Sequence, residues 1–172
     1  PLSVEVLLAG GKGVNVARAL KVLGVPVHAI GPAGGAPGCW RDACLDREKI
    51  PHRFFPIRAT TRTNVTSLAA SGVVRRRVMA GPVLSRKERD ALAAFCGPEI
   101  LRSRAVVIAG SLPFKFPVKD FVLLLSIAQR SGAMTVVDTS GPALKAALGL
   151  GVDVMKPNRR EAEEVLGFKL SS

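Results

Sequence analysis

Short apolar runs alternate with amphipathic segments along this chain, and this rhythm restricts the folds open to it. The clearest case is the apolar run 105–109, followed by a helical pattern over 117–131 and a second strand at 135–137. Strands that alternate with helices form mostly parallel, doubly wound sheets. The sequence therefore predicts an α/β fold. Its other predicted strands are 4–8, 27–30 and 152–155, and its other predicted helices are 16–23, 40–48, 142–148 and 160–166.

The stretch 53–79 interrupts this rhythm. It contains three strand-like pieces, at 54–57, 63–69 and 73–79, and the turn Ser71-Gly72 separates the last two. Helical patterns lie on both sides, the second opened by the capping-box spacing of Ser85 and Glu88. We therefore expect a small antiparallel β lid beside the main sheet, within a single domain over 1–172.

A glycine-rich turn feeds the helical pattern near the start of the chain. Gly10, Gly11 and Gly13 surround Lys12, and such a turn at a helix N-terminus favours an anion. A P-loop is excluded because Gly13, rather than Ser or Thr, follows Lys12. A dinucleotide fingerprint is disfavoured because Val16 stands where a small residue is needed. A purely structural tight turn remains the alternative.

Composition narrows the possible partners. The chain has 172 residues, a net charge of +12 and no apolar run of the roughly 18 to 20 residues that a membrane span requires. We expect a cytoplasmic protein whose three cysteines are reduced thiols. The positive charge suits nucleic acid, a membrane surface or an anionic small molecule. With aromatic residues at 5% and no tyrosine, stacking platforms for single strands are missing. An anionic metabolite is therefore favoured, and neither nucleic acid nor a membrane is expected as a partner.

Polar residues follow three of the predicted strands. Ser111 comes after 105–109, Asp138 directly after 135–137, and the segment 156–161 after 152–155. Because ligands of open parallel sheets bind beyond the carboxyl ends of the strands, these residues predict a phosphate and metal site. Each has a structural alternative. Asn158 and Glu161 have capping-box spacing, and Ser111 and Asp138 suit local turns.

Taken together, five segments resemble the PfkB, or ribokinase-like, carbohydrate kinases, and they occur in family order over nearly the whole chain. The likeness is greatest to the branch that phosphorylates sugar phosphates, with phosphofructokinases and tagatose-6-phosphate kinase. Phe114-Lys115-Phe116 departs from the family's usual Pro-Gly. The segments are Gly10 to Leu20, Thr61-Arg62-Thr63-Asn64-Val65, Gly110-Ser111-Leu112-Pro113, Asp138-Thr139-Ser140-Gly141 and Lys156-Pro157-Asn158-x-x-Glu161.

The resemblance implies a ribokinase-like fold, ATP and Mg²⁺ as cofactors, and a role for each matching residue. The glycine turn would hold the sugar hydroxyls, and Arg62 with Ser111 would bind the phosphate already on the sugar. Lys156 and Asn158 would lie near the ATP phosphates, and Glu161 with Asp138 would orient hydrated Mg²⁺. The lid would exclude water and pair two copies as a homodimer. The glycine-turn residues implied in substrate binding are Gly11, Lys12, Gly13 and Asn15.

Family members also carry an N-terminal strand with a sugar-binding aspartate and a C-terminal nucleotide-binding half with the general-base aspartate. Neither has a counterpart here, so the 172 residues are expected to lack turnover as they stand. Three alternatives stay open: a non-catalytic phosphosugar-binding module, a kinase of unphosphorylated sugars or nucleosides, and a basic nucleic-acid binder.

Overall fold

The computed structural model describes residues 8–68 and 71–171. Most of the predicted strand 4–8, and Ala69 at the end of the strand predicted over 63–69, lie outside these ranges. None of the described helices combines the length and the hydrophobicity needed to cross a bilayer. The helices are α1 (Lys12–Val22), α2 (Gly35–Arg47), α3 (Arg86–Leu101), α4 (Val118–Arg130), α5 (Gly141–Leu150) and α6 (Arg159–Leu166).

Seven strands pair in three groups among the described residues. Two groups are parallel, with the orders β1-β2 and β5-β6-β7, and β3-β4 is an antiparallel pair. The mostly parallel α/β architecture with a small antiparallel sheet is therefore as predicted. The strands are β1 (Ala29–Ala33), β2 (His52–Pro56), β3 (Val65–Leu68), β4 (Val74–Arg77), β5 (Ala105–Ala109), β6 (Met134–Asp138) and β7 (Val154–Met155).

The first strand predicted for the lid belongs to a parallel pair with β1 instead. β2 pairs in parallel with β1, with Ala29 opposite His52 and Ala33 opposite Pro56. The prediction of 54–57 as a lid strand was wrong because local composition does not reveal which strand a segment pairs with. The antiparallel part of the lid comprises β3 and β4 alone.

β1 continues through Gly31-Pro32, beyond the end of the strand predicted over 27–30. Ala29 donates to the carbonyl oxygen of Pro51, and the carbonyl oxygen of Ala33 accepts from Ile57, each at 2.9 Å. Since alternate residues of a strand point their backbone groups to opposite sides, Pro32 faces away from β2. A proline on that side removes no hydrogen bond from the β1-β2 pair.

Two helices begin earlier than the periodicity predicts. α1 starts at Lys12, so Lys12 and Gly13 lie in its first turn. α2 starts at Gly35 rather than Trp40 and carries Pro37 near its start, where a missing N–H costs no helical bond. Because these first turns contain glycine and proline in place of apolar residues, apolar periodicity does not reveal where the two helices begin.

The core forms where the helices pack on the parallel strands. Leu45 and Ile50 are buried with Ala17 between α1, α2 and the β1-β2 pair. Another cluster has Phe121, Leu125 and Val137 at its centre, each at most 1% exposed, between α4, α5 and β6. A further cluster joins α3 to α4. This packing fixes the carboxyl ends of β5, β6 and β7 beside one another.

Candidate active site

The glycine-rich turn lies against the carboxyl end of β5. Gly11 is the N-cap of α1 with φ of 120°, a conformation that L side chains rarely adopt. A Cβ at Gly13 would meet the carbonyl oxygen of Ala109 at 3.8 Å. The N-terminus of α1, with its unpaired N–H groups, is thereby placed at the strand ends, where it can bind an anion.

A network of hydrogen bonds holds this turn in place. Arg18 bonds Glu48 through Nε at 2.6 Å and Nη2 at 2.7 Å. Its Nη1 donates to the carbonyl oxygen of Ala9 at 2.6 Å and to Oδ1 of Asn15 at 3.2 Å. Sequence reasoning missed Arg18 and Glu48 because their contact joins residues 30 positions apart. The network ties the start of α1 to the end of α2 and orients the exposed Asn15.

Two lysines flank the carboxylate at the end of β6. Lys12 Nζ lies 2.5 Å from Oδ1 of Asp138, and Lys156 Nζ lies 3.4 Å from Oδ2 of the same residue. The Asp138 side chain is 14% exposed, against 48% for Lys12 and 76% for Lys156. Burial opposes the ionisation of Asp138, but the hydrogen bonds and charges of the two lysines outweigh it and lower the pKa of this carboxyl. The site therefore holds a carboxylate between two mobile cations.

Asn158 and Glu161 form a complete capping box at the start of α6. Glu161 donates its backbone N–H to Oδ1 of Asn158 at 2.9 Å, and Asn158 donates its backbone N–H to Oε2 of Glu161 at 2.9 Å. The capping alternative for this pair is thus confirmed. Because a capped helix start still has unpaired N–H groups, it remains a place where an anion can bind.

A groove collects most of the residues predicted to bind substrate. It lies beneath the glycine turn, beside the carboxyl ends of β1 and β5. Asn15, Asp138, Lys156, Asn158 and Glu161 do not line it. The predicted substrate residues that do are Gly11, Lys12, Gly13, Arg62 and Ser111.

Arg62 enters the groove from the segment that leads into the lid, and the preceding residue anchors that segment. Thr61 donates its N–H to the carbonyl oxygen of Gly34 at 2.9 Å, and its Oγ1 accepts from the N–H of Gly34 at 3.0 Å. A Cβ at Gly34 would lie 2.2 Å from the carbonyl oxygen of Ala59. Gly34 was not singled out from the sequence, although a glycine pair before a helix is a signal for close backbone approach. Thr61 was named only as part of the family-like segment 61–65.

Ser111 follows β5 at a strand end that hydrogen bonds hold in place. Gly110 has φ of 102°, donates its N–H to the carbonyl oxygen of Asp138 at 2.9 Å and accepts from Oγ1 of the buried Thr139 at 2.9 Å. These bonds join the ends of β5 and β6. They hold the loop that carries Ser111 beside the Asp138 carboxylate.

No cluster of three or more His, Cys, Asp or Glu side chains placed to hold a metal ion occurs within residues 8–68 and 71–171. Both oxygens of Asp138 face lysines, and Oε2 of Glu161 is engaged in the helix cap. Direct coordination of a cation by this pair would compete with those bonds. A hydrated ion held through its water molecules, which is how proteins commonly bind Mg²⁺, would leave those bonds intact.

Comparison with known proteins decides the family. Residues 5–172 match the model of the pfkB family carbohydrate kinases. The chain belongs to the pfkB family of carbohydrate kinases. This membership confirms the resemblance drawn from the five sequence segments, and with it the ribokinase-like fold.

The most informative pfkB relatives act on phosphorylated sugars by name. Over 164 residues the chain is 38% identical to ATP-dependent 6-phosphofructokinase isozyme 2 of Escherichia coli K12, covering 94% of this chain and 53% of the relative. It is 30% identical to tagatose-6-phosphate kinase of Staphylococcus epidermidis RP62A, covering 95% of this chain and 53% of the relative. The chain therefore spans about half the length of these relatives.

A solved structure of such a relative has the same fold. The crystal structure of phosphofructokinase-2 from Escherichia coli in complex with fructose-6-phosphate superimposes with a TM-score of 0.84 at 36% identity. The match covers 95% of this chain and 54% of that chain. The arrangement of helices and strands described above is thus that of half a pfkB kinase.

Proposed function

We propose that this chain forms the acceptor-binding part of an ATP-dependent kinase that phosphorylates a sugar phosphate. The observation that carries the proposal is the shared groove, in which the glycine turn, Arg62 and Ser111 line one space. A guanidinium suits a phosphate dianion, because its fixed fork can make two parallel charge-assisted bonds. The backbone N–H groups of α1 add further donors. The names of the two relatives point to fructose 6-phosphate or tagatose 6-phosphate as the acceptor. The sequence resemblance to phosphofructokinases adds fructose 1-phosphate to this class.

The nucleotide side of the proposed site lies at the ends of β6 and β7. Lys156 and Asn158 are proposed to bind the phosphates of ATP, beside the start of α6. Glu161 and Asp138 are proposed to hold hydrated Mg²⁺ through its water ligands. The ion would offset negative charge on the phosphates, which is the chemistry such a cation supplies in phosphoryl transfer.

We expect the 172 residues alone to bind the acceptor without turning it over. The chain spans about half the length of its relatives, and phosphoryl transfer requires both substrates, the cation and a base to be positioned together. A coupled assay of ADP release with the three sugar phosphates checks this expectation. Magnesium-dependent turnover by the 172-residue chain would contradict it.

The acceptor proposal is tested by comparing charged and neutral sugars. Isothermal titration with fructose 6-phosphate and with fructose should show binding of the phosphorylated sugar that Arg62→Ala weakens by about tenfold or more, since a charge-assisted bond contributes roughly 1.5–3 kcal/mol. Fructose should be almost unaffected. Arg58→Ala, an exposed arginine outside the groove, is the matched control.

An equally small effect of Arg62→Ala on the binding of both sugars would favour the alternative of a kinase of unphosphorylated sugars or nucleosides. Tight binding of sugar phosphates that a supplied C-terminal half of a relative does not strengthen would favour a non-catalytic binding module. Affinity that falls steeply with salt and ignores the sugar would favour a nucleic-acid binder.

We also propose that the lid pairs with a second copy of the chain. Leu68 of β3 and Val74 of β4 stand directly opposite each other and are 73% and 57% exposed. Every described residue of both strands is exposed, so the two-stranded sheet has no apolar cover. A bare two-stranded sheet is only marginally stable in water, and a partner would bury its apolar side chains.

A further inference from the structure

Lys12 connects the two halves of the proposed site. It lines the groove together with Arg62 and Ser111, and its Nζ also lies 2.5 Å from Asp138 at the end of β6. Of the charged side chains that line the groove within the described residues, Lys12 alone bonds a residue of the proposed nucleotide side. Lys12 therefore lies at the boundary between the acceptor groove and the proposed nucleotide side, rather than inside the groove.

The backbone explains how the side chain reaches across. Lys12 is the first residue of α1, and a Cβ placed at Gly110 would lie 3.8 Å from the Lys12 Cβ. The lysine thus starts over the end of β5 and extends toward the end of β6, the neighbouring strand. The Lys12 side chain therefore extends away from β1 and away from the segment before the lid, which carries Arg62.

The electrostatics indicate which ligand Lys12 would prefer. Lys12 and Lys156 approach the two oxygens of one carboxylate, so both ammonium groups already converge on a negative centre at this point. A polyphosphate presents several adjacent oxygens with higher charge and can replace Asp138 as the partner of both lysines. A sugar hydroxyl is neutral and offers a lysine much weaker attraction.

We propose that Lys12 binds the terminal phosphate of the nucleotide, paired with Lys156, and does not hold the sugar hydroxyls. This inference rests on the proposed kinase function and changes the role that the family resemblance implied for Lys12. The terminal phosphate would then lie between the ends of β5 and β6, facing the acceptor groove.

Isothermal titration at low ionic strength tests the assignment with two probes, inorganic tripolyphosphate and fructose 6-phosphate. Lys12→Met should lower the affinity for tripolyphosphate by about tenfold or more, because it removes a charge-assisted bond to that probe. It should lower the affinity for fructose 6-phosphate by less than about threefold. Lys12→Arg should recover part of the lost affinity. Lys145→Met, an exposed lysine of α5, controls for the loss of one positive charge.

Four results would overturn the inference. Lys12→Met could weaken fructose 6-phosphate and spare tripolyphosphate, or Lys145→Met could have the same effect as Lys12→Met. The unsubstituted chain could also bind fructose 6-phosphate and not tripolyphosphate, which would leave the proposed acceptor site standing. Binding of neither probe would contradict the proposed function and this inference together.

Discussion

Lys12 Nζ and Asp138 Oδ1 lie 2.5 Å apart although 126 positions separate the two residues in the chain. The contact joins the first turn of α1 to the last residue of β6. It forms because both the helix start and the strand end are brought to the same edge of the β5-β6-β7 sheet. This single ion pair is the point where the two predicted halves of the site meet.

Asp138→Asn should strengthen the binding of metal-free tripolyphosphate. The substitution keeps the shape of the side chain and removes the charge that neutralises Lys12 and Lys156. Two ammonium groups without their carboxylate attract a polyanion more strongly, by about three- to tenfold at low salt on a Coulomb estimate for partly solvated charges. Isothermal titration checks the change.

The same titration at high salt supplies the control for Asp138→Asn, because screening should remove most of the difference. Unchanged or weaker affinity at low salt would show that Asp138 does not compete with phosphate for the lysines.

Gly34→Ala should destabilise the fold, whereas Gly149→Ala should stabilise it. An added Cβ at Gly34 lies 2.2 Å from the carbonyl oxygen of Ala59 and 2.4 Å from that of Ile57, so the backbone must shift at a cost of about 2–3 kcal/mol. At Gly149, within α5, nothing lies within 4 Å, and alanine gains up to about 1 kcal/mol in helix propensity. Equilibrium unfolding in urea measures both. Equal effects from the two substitutions would contradict the predicted clash.

Glu88→Gln should lower stability near neutral pH and matter less in acid. The backbone N–H of Arg58 and the hydroxyl and N–H of Ser85 donate to the Glu88 carboxylate and lower its pKa from 4.5 to about 2. A carboxyl whose pKa is lower in the folded state than in the unfolded state stabilises the fold at any pH above its unfolded-state pKa. That contribution disappears as the pH falls from about 5 to about 2. Melting temperatures of both proteins across this pH range test whether the stabilisation by Glu88 is lost in acid.

Glu164→Gln on α6 is the matched control for Glu88→Gln, because this exposed carboxylate makes no described hydrogen bond. A gap in melting temperature between Glu88→Gln and the unsubstituted chain that stays constant from pH 7 to pH 3 would refute the assignment.

Leu68→Glu should separate a dimer formed through the lid. The change places a charge in the exposed apolar pair that Leu68 makes with Val74. Sedimentation velocity should show a shift from dimer to monomer, since a buried unpaired carboxylate is costly at an interface. Val22→Glu, at an 87% exposed position of α1, should leave the association unchanged. A monomeric unsubstituted chain would rule out the lid interface.

The sequence predicted the strand-end residues well because the rule involved is geometric. Parallel strands bring their carboxyl ends to one edge, so locating β5, β6 and β7 was enough to place Ser111, Asp138 and Lys156 near one another. The glycine turn was also identified, because the backbone freedom of Gly11 follows from its residue type. Local patterns of this kind need no knowledge of which segments pair.

What the sequence could not supply were pairings between distant segments. The assignment of β2 to the lid failed because an apolar run pairs equally well with several neighbours on local grounds. The contact of Lys12 with Asp138 and the bonds of Thr61 with Gly34 depend on where long side chains and loops meet after folding. These contacts decide which part of the proposed site each residue lies in.

Pro32 changes how β1 forms hydrogen bonds on its side away from β2. There this residue offers no amide hydrogen, and Nη2 of Arg41, on α2, occupies its carbonyl oxygen at 3.0 Å. Loss of the Arg41 side chain would therefore leave that carbonyl oxygen without this donor, while the bonds between β1 and β2 stay in place.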